Sequence, residues 1–193
     1  ITKYLERNAE QFGNDCALVE LNPEVKDTRR ITWKEFDLTQ PEPNLPYRRE
    51  ISWKIFNEKA NRCAHYLLER GVRRGDKVGI LMMNCLEWLP IYFGILKTGA
   101  LAVPLNFRYA SDEIDYCLNL ADISVLFFGP EFIGRLEAIS EKIMKGRLLI
   151  YVGEGQEPMF SENYVMSAMN YSSENLDIEI TDAAKEIMVR EGY

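Results

Sequence analysis

Four short apolar runs punctuate the chain, at residues 78–82, 101–105, 124–128 and 147–152. The first suits a strand buried on both faces, 124–128 reads as another buried strand, and the other two read as further strands. Between them, apolar positions recur at helical spacing. The stretch after Asn84 is apolar almost all round, with Leu86, Leu89, Ile91, Tyr92, Phe93, Ile95 and Leu96. A helix with so little polar face must be covered on more than one side. Asn84 and Glu87 have capping-box spacing, so the helix is predicted to start at Asn84 and to end at Gly99. Residues 75–106 then form a right-handed strand–helix–strand unit. Ser111 is the predicted cap of the next helix, with Asp112, Glu113 and Asp115 at its positive end and Ile114, Cys117, Leu118 and Ala121 on its apolar face. Gly129-Pro130 opens another helix, striped by Phe132, Leu136, Ile139 and Ile143. Strands alternating with helices predict an α/β fold, a doubly wound, mostly parallel sheet with flanking helices.

The flanks are less regular. Residues 2–12 predict a helix capped by Thr2, with Leu5, Ala9 and Phe12 at helical spacing. Residues 16–21 and 29–33 predict an N-terminal β-hairpin. A near-repeat follows: Ile31-Thr32-Trp33-Lys34-Glu35-Phe36-Asp37 returns twenty residues later as Ile51-Ser52-Trp53-Lys54-Ile55-Phe56-Asn57. Only the second copy leads into a long amphipathic run, capped by Ser52 and closed by Gly71. The first leads to Pro41, Pro43 and Pro46, which break any helix and favour an extended, exposed path. Residues 161–169 predict a short helix with Tyr164, Val165, Ala168 and Met169 inward. Residues 181–189 fit a last helix or a last strand.

Composition narrows the class. A chain of 193 residues is long enough for one domain with its own core. A net charge of −7 gives no electrostatic case for nucleic acid. No apolar run is long enough for a transmembrane segment, and no signal peptide is evident. Cys16, Cys63, Cys85 and Cys117 have no paired spacing, so zinc and redox motifs are unsupported, and buried thiols in a reducing cytosol are expected. His65, the single histidine, falls opposite the apolar set of its helix and is expected at the surface.

A parallel sheet invites a search for phosphate loops. No GxGxxG follows any predicted strand, and the turn after Met82 has no glycine, which argues against a dinucleotide-binding domain. No GxxxxGK[ST] is present.

Residues 75–106 carry a family pattern. Gly75, Asp76, Asn84, Glu87, Lys97, Gly99, Ala100, Val103, Pro104, Leu105 and Asn106 resemble the N-terminal part of the adenylate-forming acyl-CoA synthetases, the AMP-dependent synthetase/ligase family. More loosely, the resemblance extends over residues 1–190. It implies that residues 1–193 are a single subdomain, the first of the family's large N-terminal domain, with residues 34–50 inserted. It implies a parent enzyme, an ATP-dependent carboxylate–CoA ligase that forms an acyl-adenylate and then a thioester. ATP, Mg2+, coenzyme A and a carboxylic acid are then the parent's cofactors and substrates, in fatty acid metabolism and in the cytoplasm. The family's Ser/Thr/Gly-rich phosphate loop, later motifs and small C-terminal domain are not found, so this chain alone is expected to be inactive. No catalytic, cofactor-binding or metal-binding residue carries over, and none of those ligands is expected on this chain. The matched positions read as fold determinants. Asn106, Phe107 and Arg108, at a strand's carboxyl end, are the alternative ligand contacts, and Trp88, Tyr92 and Phe93 read as core rather than an acyl pocket. Surface meant for the rest of the parent would favour self-association or a homo-oligomer. The competing reading is a free-standing, non-catalytic α/β module that binds an acyl ligand or a protein.

Overall fold

The computed structural model describes residues 1–21, 48–154 and 156–176. Its centre is a five-stranded parallel sheet built from β3 (Lys77–Leu81), β4 (Leu101–Pro104), β5 (Ile123–Phe128), β6 (Leu148–Tyr151) and β7 (Glu162–Asn163), in the order β4-β3-β5-β6-β7. The alternation of side chains along a strand decides the two cores. Val125 and Phe127 of β5 face a cluster with Cys63, Tyr66, Ile91 and Ile95, while Leu126 and Phe128 face a cluster with Ile114, Leu118, Leu136 and Ile143. The first cluster brings in α2 (Trp53–Glu69) and α3 (Trp88–Lys97), the second α4 (Ser111–Leu120), α5 (Ile133–Glu137) and α6 (Ser140–Ile143). The layers are therefore helix, sheet, helix, as predicted.

A second, antiparallel sheet pairs β1 (Cys16–Leu21) with β2 (Arg48–Ser52). The hairpin partner expected at 29–33 lies outside the described residues, as do the first repeat copy, residues 34–47 of the expected insertion and residues 181–189. Arg48, Arg49 and Glu50, the end of that insertion, are strand residues. Glu20 selects them: its carboxylate accepts from Arg49 at 2.7 Å and from the Leu86 backbone N–H at 2.8 Å, tying the hairpin to the turn before α3. With α1 (Thr2–Gln11), the hairpin encloses a third cluster of Leu5, Ile51, Phe56 and Ala60, against which Leu89 and Phe93 of α3 pack. The apolar α3 is thus covered from two directions, since Ile91 and Ile95 face the sheet.

Several expected helix starts move. α3 begins at Trp88, a turn after Asn84, with Glu87 as its N-cap and no side-chain cap bond. Asn84 sits in a preceding bend, and Pro90, which has no N–H to satisfy, occupies the first turn. Ser111 is the first helical residue of α4 rather than its cap. Ala110 is the cap, and its backbone N–H donates to Glu113 at 2.8 Å. Thr2 is likewise the first buried residue of α1, after Ile1. The stripe Phe132, Leu136, Ile139 and Ile143 is buried, but its helix is broken into a 3-10 turn (Pro130–Phe132), α5 and α6. The helix expected at 161–169 is α7 (Tyr164–Ala168), and Met169 is exposed rather than inward. Ser52 and Gly71 act as expected. Ser52 Oγ accepts from the Ile55 N–H at 3.3 Å, and Gly71, at φ +86°, lets Val72 N–H reach back to Leu67 O at 3.0 Å.

The polar face of α2 is partly covered too. Asn57 and Asn61 are buried, and their amide groups donate to Asn175 Oδ1 at 2.9 and 3.0 Å. His65 Nε2 lies 3.2 Å from Glu174 O, so the expected surface histidine is half-buried under residues 173–175. One turn on, Glu162 of β7 accepts from Tyr66 Oη at 3.0 Å and Arg70 Nε at 2.9 Å, and Arg70 also donates to Tyr171 Oη at 3.0 Å. Those side chains fasten the two-residue edge strand. The thiols are all unpaired but not all buried: Cys16 is exposed, and Cys85 and Cys117 are half-buried. Burial pushes Cys63 up to about 12.

Two contacts set the helical layer. Gly94 lets α3 lie directly on α2: a Cβ there would stand 2.5 Å from Cys63 Cβ and 2.9 Å from Ala60 O. Lys97, 2% exposed, pairs with Glu6 of α1 at 2.8 Å. Burial lowers the Lys97 ammonium below its ordinary value although Glu6 opposes it. At Glu6 burial acts to raise the carboxyl, but the hydrogen bonds and charges of Lys97 and Lys3 outweigh it and the net shift is downward.

Glu6→Ala should cost about 3–5 kcal/mol in chemical denaturation, because it leaves an ammonium buried without a partner. Lys97→Met should cost less than half as much, since Glu6 keeps Lys3. The Glu6 contribution is present above the unfolded carboxyl value and lost as pH falls through the depressed folded value, so wild type and Glu6→Ala should converge in acid. Equal losses for the two variants at neutral pH would contradict this account. Gly94→Leu should cost about 3 kcal/mol or more by overpacking, read as a drop in melting temperature or loss of soluble protein.

Candidate functional site

Open parallel sheets hold ligands at the carboxyl ends of strands, where the strand order reverses. Here the reversal falls between β3 and β5, because the chain goes from β3 out to β4 and returns on the other side of β3. Backbone bonds carry the ladder just past the strand ends: Leu105 N–H to Ile80 O at 2.8 Å, Gly129 N–H to Leu81 O at 3.1 Å, and Val152 N–H to Phe128 O at 2.9 Å. The carboxyl edge is thus a continuous rim formed by residues 82–84, 105–109, 129–131 and 152–154.

Asn106, Phe107 and Arg108 lie on this rim as their position after β4 predicts. Their chemistry is largely internal. Asn106 Oδ1 accepts from the Arg108 N–H at 2.9 Å, and its carbonyl accepts from the Tyr109 N–H at 3.1 Å. Arg135 reaches across from α5 and donates to Phe107 O at 2.7 Å and Tyr109 O at 3.2 Å. Phe107 and Tyr109 pack on the second core, and the Arg108 guanidinium lies 5.4 Å from the Phe107 ring centroid. The loop is held in one shape by its own polar groups.

The group missed by the sequence reading is Glu131. It follows β5 at the reversal point, and its Oε2 is buried without a hydrogen-bond partner. A methyl on Gly129 would lie 2.5 Å from that oxygen, so the glycine makes room for the carboxyl. Burial raises Glu131 above the usual carboxylate value, against a smaller opposing effect of its own backbone N–H. The available signal was Gly129-Pro130-Glu131 directly after the apolar run Val125-Leu126-Phe127-Phe128.

The aromatic cluster divides. Trp88 stacks on Tyr92, with centroids 5.6 Å apart and planes at 14°, and Phe93 meets Phe56 edge-on at 5.3 Å. Tyr92 and Phe93 pack against the cores, as expected. Trp88 also walls an open groove of about 480 Å3 with Leu18, Val19, Leu21, Leu86 and Leu89, between β1 and the turn before α3. Several of the matched positions in 75–106 hold the fold. Gly75 N–H donates to Gly99 O at 3.1 Å, Asp76 O accepts from Leu101 N–H at 2.8 Å, Asp76 Oδ2 accepts from Arg73 N–H at 2.7 Å, and Glu87 pairs with Lys59. Among the described residues, no three His, Cys, Asp or Glu side chains are placed to hold a metal ion. Nor does the turn 82–85 have a glycine that would let phosphate approach its N–H groups.

Because burial raises Glu131, its contribution is fullest below the unfolded carboxyl value and is lost as pH rises through the folded one. Glu131→Gln should therefore melt higher than the wild type at pH 7, with the gap closing near pH 4. A lower melting temperature at pH 7 would show that the ionised carboxylate is stabilising there.

The family model described as AMP-binding enzyme matches residues 42–177. A medium/long-chain-fatty-acid and 3-oxocholest-4-en-26-oate CoA ligase of Mycobacterium marinum is 31% identical over 108 residues, 56% of this chain and 20% of that protein. The long-chain-fatty-acid CoA ligase FadD13 of Mycobacterium tuberculosis is 35% identical over 98 residues, 51% of this chain and 19% of that protein. Among solved structures, the anthranilate CoA ligase AuaEII in complex with anthranoyl-AMP superposes with a TM-score of 0.70 at 25% identity, covering 90% of this chain and 28% of that one. A long-chain-fatty-acid CoA ligase of Archaeoglobus fulgidus has the same TM-score at 19% identity and shares the fold, over 92% of this chain and 31% of its own. This chain spans about a fifth of the length of the curated relatives it matches. With the family pattern folded as β3, α3 and β4, and the family match covering residues 42–177, the chain belongs to the AMP-binding enzyme family.

Proposed function

We propose that residues 1–193 are a single subdomain at the N-terminal end of an ATP-dependent carboxylate–CoA ligase. The parent converts a carboxylic acid to its coenzyme A thioester, with ATP and Mg2+ as cofactors. ATP supplies the leaving group that activates the acid. The observation that carries this reading is the family match over residues 42–177, together with relatives named as acyl-CoA ligases. Fatty acids are the favoured acid class, because the matched relatives of Mycobacterium are named for them.

Within the parent, this chain's part is scaffolding. The rim loop 105–109 is fixed by Asn106 and Arg135, and the turn 82–85 offers no glycine cradle for the phosphates of a nucleoside triphosphate, so no reaction step is assigned to these residues. The phosphate loop and the later catalytic groups belong to the remainder of the parent, and this chain by itself is inactive. A cytoplasmic location is supported by four unpaired thiols. Self-association of the isolated chain is supported by Tyr116 and Leu120, four residues apart and both exposed on α4.

The test is carboxylate-dependent ATP–pyrophosphate exchange, run on the full-length parent and on the 193-residue chain against a panel of acids. Exchange with fatty acids is expected from the parent and none from the chain. A parent inert toward every acid would overturn the ligase assignment, and exchange by the chain alone would overturn its inactivity.

A further inference from the structure

Glu131 stands where the strand order reverses, with its Oε2 buried and met by no donor among the described residues. The place that a Cβ on Gly129 would take lies 2.5 Å from that oxygen and 3.8 Å from Met82 Cα. The carboxyl is therefore turned back over the glycine that follows β5, beside the residue that follows β3. The nearest cation in sequence is committed elsewhere: Arg135, four residues on, donates to Phe107 O and Tyr109 O. A buried carboxylate costs stability unless a donor or a cation meets it. Glutamine has nearly the same shape and no charge to bury, so a carboxyl outperforms it at this point only against a cation.

We propose that Glu131 is a docking socket for a guanidinium or ammonium side chain from the remainder of the parent ligase, seated at the carboxyl ends of β3 and β5. The proposal rests on the reading of this chain as part of that longer enzyme. A formal net charge of −7 adds long-range attraction for a basic partner surface. Docking replaces the penalty of burial with a charge-assisted hydrogen bond to Oε2, roughly twice as strong as a neutral one. It also reverses the electrostatics of the carboxyl. Within the described residues burial favours its protonated form. Beside a cation the ionised form is favoured, and the folded value drops below the ordinary one.

The test compares wild type with Glu131→Gln in the full-length parent, by melting temperature at pH 7 and near pH 4. The variant should melt several degrees lower at pH 7, and the gap should close as pH falls through the depressed folded value of the carboxyl. That is the opposite order from the one expected of the 193-residue chain. An equal or higher melting temperature for the variant parent at pH 7 would overturn the proposal. So would a lower one for the variant of the 193-residue chain, because the partner then lies within these residues. If the variant parent is not recovered folded, carbodiimide coupling of glycinamide to the two wild-type proteins decides, mapped by mass spectrometry. Glu131 should be labelled in the chain and spared in the parent, and equal labelling would overturn the socket. ATP–pyrophosphate exchange by the wild-type parent separates the two readings. An inert parent with the reversed melt loses the ligase assignment and keeps the socket, whereas an active parent without the reversal loses the socket alone.

Discussion

Helix α3 constrains everything around it. It has apolar residues on nearly every side and so must be sandwiched. The sheet takes Ile91 and Ile95, and the hairpin with α1 takes Leu89 and Phe93. Its approach to α2 is set by one absent side chain, at Gly94, where backbone meets Cys63 and Ala60. That closeness explains why a glycine interrupts an otherwise favourable helix, where it would ordinarily be worse than alanine by roughly 1 kcal/mol. The small antiparallel sheet is thus the lid on the one helix that the parallel sheet cannot cover alone.

What the sequence revealed follows from what is local. The strands β3, β5 and β6 were legible because burial on both faces leaves an apolar run, whereas β4, an edge strand, carries apolar residues although Leu101 and Pro104 are exposed, and the loops at the carboxyl ends could be placed from strand direction. Helix starts were less legible. A capping residue is defined by its own backbone angles, and three good capping types, Asn84, Ser111 and Thr2, all fall one position or one turn from the real boundary. Pro90 was the better guide to α3, because proline is tolerated in a first turn and not beyond it. Buried Asn57 and Asn61 were illegible for another reason: their cover comes from residues 173–175, more than a hundred positions away, and no helical periodicity encodes it. Glu131 belongs with them, a charge type whose burial depends on Gly129 leaving space.

The loop after β4 shows how the carboxyl rim is held in shape. In that loop the polar groups are engaged: Asn106 closes its own turn, and Arg135 ties the loop to the helix after β5, while Glu131 Oε2 on the same rim has no partner among the described residues. A loop braced in this way is held in one shape by hydrogen bonds from within it and from α5. The family pattern from Gly75 to Asn106 behaves likewise. Gly75 and Gly99 meet through their backbones, and Asp76 orders the turn into β3. Most of these positions fix where β3 and β4 begin and how the helix between them sits.

The pair between Lys97 and Glu6 reaches beyond its own energetics. Glu6 lies on the first helix, ninety-one residues from its partner, yet it neutralises an ammonium on the helix at the heart of the βαβ unit. The start of α1 is consequently part of the parallel domain's electrostatics and not a detachable leader. A protease that trims the chain between Glu6 and β1 would leave every strand of the central sheet intact and still strand a cation in the core, so the N-terminal limit of a stable piece of this fold is set by a carboxylate, not by the first strand.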